Sequence, residues 1–292
     1  APGHEEIELA LCKLYRVTGN ELYLDLAKKF LDVRGVTYRP NGTGVMAPTY
    51  AQQHKPVIMQ DKPVGHAVRA GYLYAGMADV SALTGDMSYA EAVKRIWQNI
   101  VDTRMHITGG LGAVHGIEGF GPEYVLPNKE AYNETCAAVA NVFFNFRMYL
   151  LYQDAKYFDV AEVALLNNAL AGVSISGDEF FYVNPLEADG SAGRSAWFGC
   201  ACCPPNIARL IASIGGYIYS QADMDAYVHL YVQGRATLQI GGKQPAPHFS
   251  TVVLRQETNY PWDGNIKITV NPEKPIVFGL NLRIPEWSRS AG

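Results

Sequence analysis

The chain has 292 residues, 48% of them hydrophobic, and a formal net charge of −4. That composition belongs to a packed globular protein with one large domain or two ordinary ones, and it excludes a disordered chain. The charge carries no basic runs and no apolar stretch is long and uncharged enough to cross a bilayer, so neither nucleic acid nor membrane is expected as a partner.

The chain opens directly into a helical apolar pattern (Glu5, Ile7, Leu9, Ala10, Leu14), so no targeting leader is expected in it. Three similar turns follow: Thr18-Gly19-Asn20-Glu21-Leu22-Tyr23, Thr84-Gly85-Asp86-Met87-Ser88-Tyr89 and Tyr152-Gln153-Asp154-Ala155-Lys156-Tyr157. Each offers Asn or Asp as a helix N-cap with Tyr three positions later. Each separates two amphipathic patterns, at about 4–17 and 21–33, 66–83 and 87–103, and 131–152 and 155–171. The caps are 66 and 68 residues apart, a repeat of helical hairpins joined by long loops, which is the sequence form of a toroidal (α/α) barrel. A closed barrel of six hairpins needs twice as many as the three counted, so a partial barrel is expected.

Two of the connecting loops are longer than a connection requires, and long ordered loops tend to carry function. Residues 34–65 hold His54 and lead into Gly65-His66-Ala67-Val68-Arg69. Residues 104–130 hold Thr108-Gly109-Gly110-Leu111-Gly112-Ala113, His115, Glu118 and Glu123. No Gly-Lys-Ser/Thr follows these glycines, so they are not a phosphate loop.

After residue 172 the pattern changes to short alternating runs: 180–183, 227–232, 236–240, 251–254, 266–270 and 276–284, with Asp263-Gly264 and Asn271-Pro272 as turns. The expected organisation is therefore mainly α with a β tail. Residues 1–172 form a partial (α/α) barrel and residues 173–292 a β-rich region, the start of an antiparallel β-sandwich. The second region is interrupted by the Cys200–Cys203 segment and a helix at about 205–216.

That segment, Phe198-Gly199-Cys200-Ala201-Cys202-Cys203-Pro204-Pro205-Asn206, holds three of the five cysteines. Thiols this close together do not suit a disulfide framework, and reduced thiols in a reducing, cytoplasmic compartment are the expectation. Pro204 or Pro205 is suited to a first helical position, which places the thiols at a helix N-terminus, where unpaired N–H groups favour thiolate. Zinc takes thiolate and carboxylate ligands, usually four. Cys202 and Cys203 supply two, and Tyr132-Asn133-Glu134-Thr135-Cys136 supplies a carboxylate and a third thiol. Residues two apart on a regular helix point to different sides, so Glu134 and Cys136 can share a metal only at an irregular helix start. A redox centre and a closed structural zinc site remain alternatives for the cluster. Cys12 reads as a buried small hydrophobe, and Cys136 alone admits the same reading.

Glu118 lies between Gly-Ile and Gly-Phe-Gly, a setting in which a carboxyl can be desolvated into a general acid; a solvated loop carboxylate is the plainer reading. His66 suits a helix start as well as a substrate contact. Glu162, with Asn167 and Asn168 one to two turns later, offers polar groups to an inward face or to solvent.

Taken together these motifs resemble the zinc-dependent cysteine glycosidases of the β-L-arabinofuranosidase type, glycoside hydrolase family 127 and its close relatives. The resemblance rests on Gly65-His66-Ala67-Val68-Arg69-Ala70, Gly109-Gly110-Leu111-Gly112, Glu118-Gly119-Phe120, Leu126-Pro127-Asn128, Ala131-Tyr132-Asn133-Glu134-Thr135-Cys136-Ala137 and Cys202-Cys203-Pro204-Pro205-Asn206. It implies an (α/α)6 barrel followed by β-sandwich modules, of which this chain is a fragment. It implies a retaining hydrolase that releases β-L-arabinofuranose from oligosaccharides or glycans, with plant cell-wall or glycoprotein arabinosides as substrates and a homodimer as a further expectation. By the same resemblance Zn2+ is held by Glu134, Cys136, Cys202 and Cys203. Cys202 is the nucleophile, Glu118 the acid/base, and His66 and Tyr182 contact the sugar. Ile117 stands where many relatives have glycine. Two rival readings are a barrel glycosidase using Glu118 and Glu162 as paired carboxylates with structural zinc, and a sugar-binding fragment without turnover.

Overall fold

Asn20 and Asp86 are the N-caps that the first two repeated turns predict, and in the third, where Ala155 is the N-cap, Asp154 makes the same bond from one residue earlier. The Leu22 N–H donates to Asn20 Oδ1, the Ser88 N–H to Asp86 Oδ1 and the Lys156 N–H to Asp154 Oδ1, each at 3.1 Å. The structure, a computed structural model, describes residues 3–38, 40–242 and 248–288. The turns join α1 (Ile7–Thr18) to α2 (Glu21–Val33), α3 (Ala67–Thr84) to α4 (Met87–Thr103), and α5 (Thr135–Tyr152) to α6 (Lys156–Ala164). The chain divides into two compact units, Ala1–Ala208 and Arg209–Gly292.

In the first unit α1, α3 and α5 lie side by side as one layer, and α2, α4 and α6 each pack on the first helix of their own hairpin. Apolar patterning explains the layering. α3 and α5 are buried on nearly every side, from Ala67 to Ser81 and from Thr135 to Asn145, whereas α2 and α4 bury one stripe only (Leu24, Ala27, Leu31; Val93, Ile96, Trp97, Ile100). Close approach of α3 to α5 depends on Gly71, where a Cβ would stand 2.8 Å from that of Ala140.

α6 is shorter than its periodicity predicts. It passes at Leu165–Ala169 into a π-turn, closed by the Leu170 N–H on Leu165 O, and ends in a 3-10 turn, Leu170–Gly172. α5 starts four residues later than the pattern at 131–152, because Asn133 has φ +45° and Glu134 is extended.

The expected boundary at 172/173 differs from the division into units. Residues 173–208 belong to the helical unit, to which short bridges tie them: Glu134 pairs with Val183 and Phe180 with Val173 and Ser195. The alternating run at 180–183 is therefore bridging loop rather than sheet. α7 (Cys203–Ser213) starts two residues before the predicted helix, with both prolines in its first turn.

The second unit follows a short helix, α8 (Gly215–Ile218), with two three-stranded sheets. β3 (Gly234–Gly242), β4 (His248–Thr258) and β5 (Ile266–Pro272) are antiparallel, Leu238 opposite Val252 and Leu254 opposite Val270. β1 (Tyr219–Ala222) and β2 (Asp225–Val228) are antiparallel too, but β6 (Gly279–Leu282) pairs with β2 in parallel, a departure from an all-antiparallel module. Its core gathers Ala226, Val228, Leu238, Ile240, Val252 and Leu254, the alternate positions of β2, β3 and β4. Among the described residues no helix is long and apolar enough to cross a membrane.

Candidate metal and catalytic centre

The irregular helix start that a shared metal requires is present. Glu134 is the N-cap of α5 with extended backbone (φ −61°, ψ 138°), so its carboxylate is free to turn back toward Cys136 in the first helical turn. Cys202 and Cys203 arrive at the start of α7. The ligating atoms of Glu134, Cys136, Cys202 and Cys203 all lie within 4.8 Å of one another, and three of these residues are buried. The Cys136 and Cys203 sulfurs are 3.4 Å apart, those of Cys202 and Cys203 3.8 Å, and Glu134 Oε1 stands 3.5 Å and 3.7 Å from Cys202 and Cys203. Zinc–sulfur and zinc–oxygen bonds of ordinary length, arranged tetrahedrally, have edges of about 3.5–3.8 Å. The donor set and its spacing therefore fit a four-coordinate metal ion.

The electrostatics point the same way. Hydrogen bonds with Cys136 and Cys203, aided by Tyr182, outweigh burial and hold the Cys202 thiol well below its ordinary value. Hydrogen bonds with Cys202 and Cys203, then burial, push Cys136 up. At Cys203 the bond to Cys136 acts to lower the thiol, but the bond to Cys202 and burial prevail and raise it. Burial, then the negative Cys202 and Glu118, pushes Glu134 up. The protein alone accommodates one negative charge here and resists three more, while Glu134 Oε2 is buried without a hydrogen-bond partner. A cation held among the four groups would supply the missing compensation.

The three clustered thiols differ in access. Cys136 and Cys203 are buried, whereas Cys202 is half-buried, with the Tyr182 hydroxyl 3.3 Å from its sulfur. Cys200 is exposed and outside the cluster, and Cys12 is buried on α1, where burial pushes its thiol up to about 12. Tyr182 also lines a cavity of about 390 Å³ with His115, Lys129, Asp189 and Phe198, a volume within the ~300–1,000 Å³ range of small-molecule sites.

His66 and Glu118 form the second half of the centre. Their acceptor and donor atoms lie within 4.8 Å of the Glu134 carboxylate. His66 Nε2 is 3.0 Å from Glu118 Oε2, and the Arg69 N–H donates to His66 Nδ1 at 3.4 Å. Burial, outweighing the pull of Glu118, holds His66 down to about 4, so its ring is neutral near pH 7. With Nδ1 an acceptor, the proton sits on Nε2 and His66 donates to Glu118. The Glu118 side chain is 37% exposed, so it is only partly withdrawn from water. Its backbone has φ +50°, held by the Ala67 N–H on Glu118 O and by pairing of Val114 with Gly119; Ile117 does not prevent this turn.

Glu162 is buried on α6 but stands outside both groups, as does His54, and Asn167 is exposed. Sequence reasoning missed Tyr132, hydrogen-bonded to Glu118, and His4, whose ring centroid is 6.4 Å from that of His66. It also missed the pairing of Asn133 with Asn168. Tyr132 belongs to the 131–137 motif, and nothing local marks the other contacts. The glycines of 109–112 serve close approach: at Gly109 (φ +79°) a Cβ would stand 2.5 Å from Ala164 Cα.

Known proteins share both the sequence and the fold of this chain. Residues 1–216 match the family model for the β-L-arabinofuranosidase GH127 catalytic domain, and residues 225–292 match that of the GH127 middle domain. The chain is 41% identical over its whole length to a non-reducing end β-L-arabinofuranosidase of Bifidobacterium longum subsp. longum, of which it covers 47%. It superimposes on a GH127 β-L-arabinofuranosidase from Geobacillus stearothermophilus T6 with a TM-score of 0.91 at 46% identity, covering 99% of this chain and 48% of that one. A GH127 β-arabinofuranosidase structure gives a TM-score of 0.90 at 50% identity, covering 98% and 43%. The chain thus spans about half the length of the relatives it matches.

Proposed function

The chain belongs to the GH127 β-L-arabinofuranosidase family, and from that membership and the geometry of its centre we propose that it carries the reacting groups of a retaining glycosidase acting on terminal β-L-arabinofuranosides. The observation that carries the assignment of the nucleophile is the difference in access among the thiols: Cys202 alone of the clustered three is not buried.

Glu134, Cys136, Cys202 and Cys203 would hold a zinc ion. Bound there, zinc keeps the Cys202 sulfur anionic and oriented. In the first displacement the Cys202 sulfur forms a bond to the anomeric carbon as the bond from that carbon to the leaving oxygen breaks. The proton of the Glu118 carboxyl passes to that oxygen. His66, at 3.0 Å from Oε2, orients the Glu118 carboxyl for this transfer. In the second displacement Glu118, now a carboxylate, takes a proton from water. The water oxygen bonds to the anomeric carbon, the carbon–sulfur bond breaks and the sugar leaves with its configuration retained. Tyr182, against the sulfur and lining the cavity, is positioned to contact the sugar.

The mass of the intact protein after incubation with an activated aryl β-L-arabinofuranoside tests the roles. A pentosyl adduct is expected on the unsubstituted chain and on Glu118→Ala, where breakdown of the adduct is slowed, and no adduct on Cys202→Ser. Labelling that persists in Cys202→Ser would overturn the assignment and favour paired carboxylates.

A further inference from the structure

We propose that Asn168 is a positioning residue, an amide clamp that holds Glu134 and Tyr182 in place against Cys202; the inference rests on the reading of Cys202 as the reacting group. Glu134 and Tyr182 come from segments far apart in sequence, yet both touch the Cys202 sulfur, at 3.5 and 3.3 Å. Asn168 joins those segments. Its Nδ2 donates to Asn133 Oδ1 at 3.0 Å, and Asn133 Nδ2 returns a bond to Asn168 Oδ1 at 3.2 Å. The same Oδ1 accepts from Asn184 Nδ2 at 3.0 Å, and Asn133 Nδ2 reaches the Asn184 carbonyl at 2.7 Å. Asn133 immediately precedes Glu134, and Asn184 lies two residues after Tyr182. All three asparagines are buried.

The backbone around the clamp is specialised for it. Asn133 adopts φ +45°, a left-handed conformation that its neighbours must enforce, and this turn gives Glu134 its extended backbone ahead of α5. The π-turn at Leu165–Ala169 directs Asn168 inward while Asn167 is exposed. Gly110 lies against the amide pair so closely that a Cβ there would collide with Asn133 Oδ1 and Asn168 Nδ2. Downstream of the clamp, the Thr135 N–H donates to Tyr182 O at 3.0 Å, so the two segments are paired across the residues that face the sulfur.

Groups that hold a metal ligand in place typically change metal affinity about 10–100-fold when removed, and Asn168 acts on Glu134 through the adjacent Asn133. The test compares Asn168→Asp and Asn168→Ala with Asn145→Ala. Asn145 is a buried α5 asparagine bonded to Trp97 and Asn141, and its loss disturbs the same helix without touching the clamp. Zinc affinity is measured by chelator competition, and amide hydrogen exchange is followed in the metal-free chains. The expected result is a 10–100-fold weaker zinc affinity in the Asn168 variants and at least ~10-fold faster exchange at Asn133, Thr135 and Asn184, with affinity in Asn145→Ala within ~2-fold of the unsubstituted chain. Fast exchange at those amides in a protein that binds no zinc would uphold the clamp and overturn the metal reading. Exchange and affinity that change no more than in Asn145→Ala would overturn the clamp. Asn168→Asp keeps the size and acceptor of the side chain, so it reports on the lost donor if Asn168→Ala fails to fold.

Discussion

The two units of the chain are held together by different kinds of interior. The helical unit buries charge and amide groups deep in its core: Glu5, Glu8 and Arg34 are wholly inaccessible, Asp79 receives both Arg16 and Arg147 at 2.8 and 2.9 Å, and five asparagines lie in its loops and helices at 133, 141, 145, 168 and 184. The β unit has a core of alternating aliphatic side chains, with His229, Gln256 and Arg283 its buried polar groups among the described residues. An apolar core tolerates any well-packed solution, whereas a buried polar group is favourable only with its partners in place. The proposed chemistry is confined to the unit whose interior is the more specific, and there the buried polar groups fix loop backbones that no helix or strand would otherwise define.

Breaking one partner in each unit tests this contrast. The largest effect is expected from Arg34→Met. Arg34 is paired at 2.6 Å with Glu5 and lies 3.8 Å from Glu8, and its removal leaves these two buried acidic groups without their shared cation. A loss of about 3–5 kcal/mol in the stability of the helical unit is expected from denaturant unfolding. A loss under about 1 kcal/mol would show that the polar interior is not selective.

An intermediate effect should come from acid. Burial, then Arg283, holds His229 down to about 4, below its value of about 6.5 in an unfolded chain, while Ser220 Oγ bonds its ring at 2.7 Å. The unfolded state therefore binds the proton first as pH falls. The contribution of neutral His229 is complete above about pH 6.5 and is lost on acidification toward pH 4, on the order of 3 kcal/mol. Thermal unfolding of the β unit between pH 7 and 4 should show this slope, and His229→Leu should flatten it. A slope unchanged in that variant would assign the acid sensitivity elsewhere.

The smallest effect is expected from Ile240→Val in the β core. Ile240 is fully buried between strands, and losing one methylene there costs about 0.5–1.5 kcal/mol with zinc affinity unaltered, because all four candidate ligands lie in the other unit. A shift in affinity would show that the two interiors are coupled.

Much of the architecture was legible in the sequence. Asn20, Asp86 and Asp154 announced the hairpins because a cap acts within four residues, and the alternation of Leu238, Ile240, Val252 and Leu254 announced strands because a pleat has period two. The parallel pairing of β6 with β2 was not legible, since a strand carries the same alternation in either direction. Nor was the end of the helical unit, because the run at 180–183 alternates like a strand and is used as a bridge to Glu134.

The inventory of the centre is legible along the chain: three thiols, two carboxylates, a histidine and a tyrosine, in motifs similar to those of one glycosidase family. Which of them meet, and on what terms, follows from the folded arrangement. Cys202 is half-buried while Cys203, its neighbour, is sealed; Glu134 turns back to Cys136 because Asn133 is left-handed; and Asn168 rather than Asn167 faces inward at a π-turn. The two differ in range. Caps and periodicity act within a few residues, whereas access and the geometry of a site are set by groups that chain folding brings together from tens of residues away.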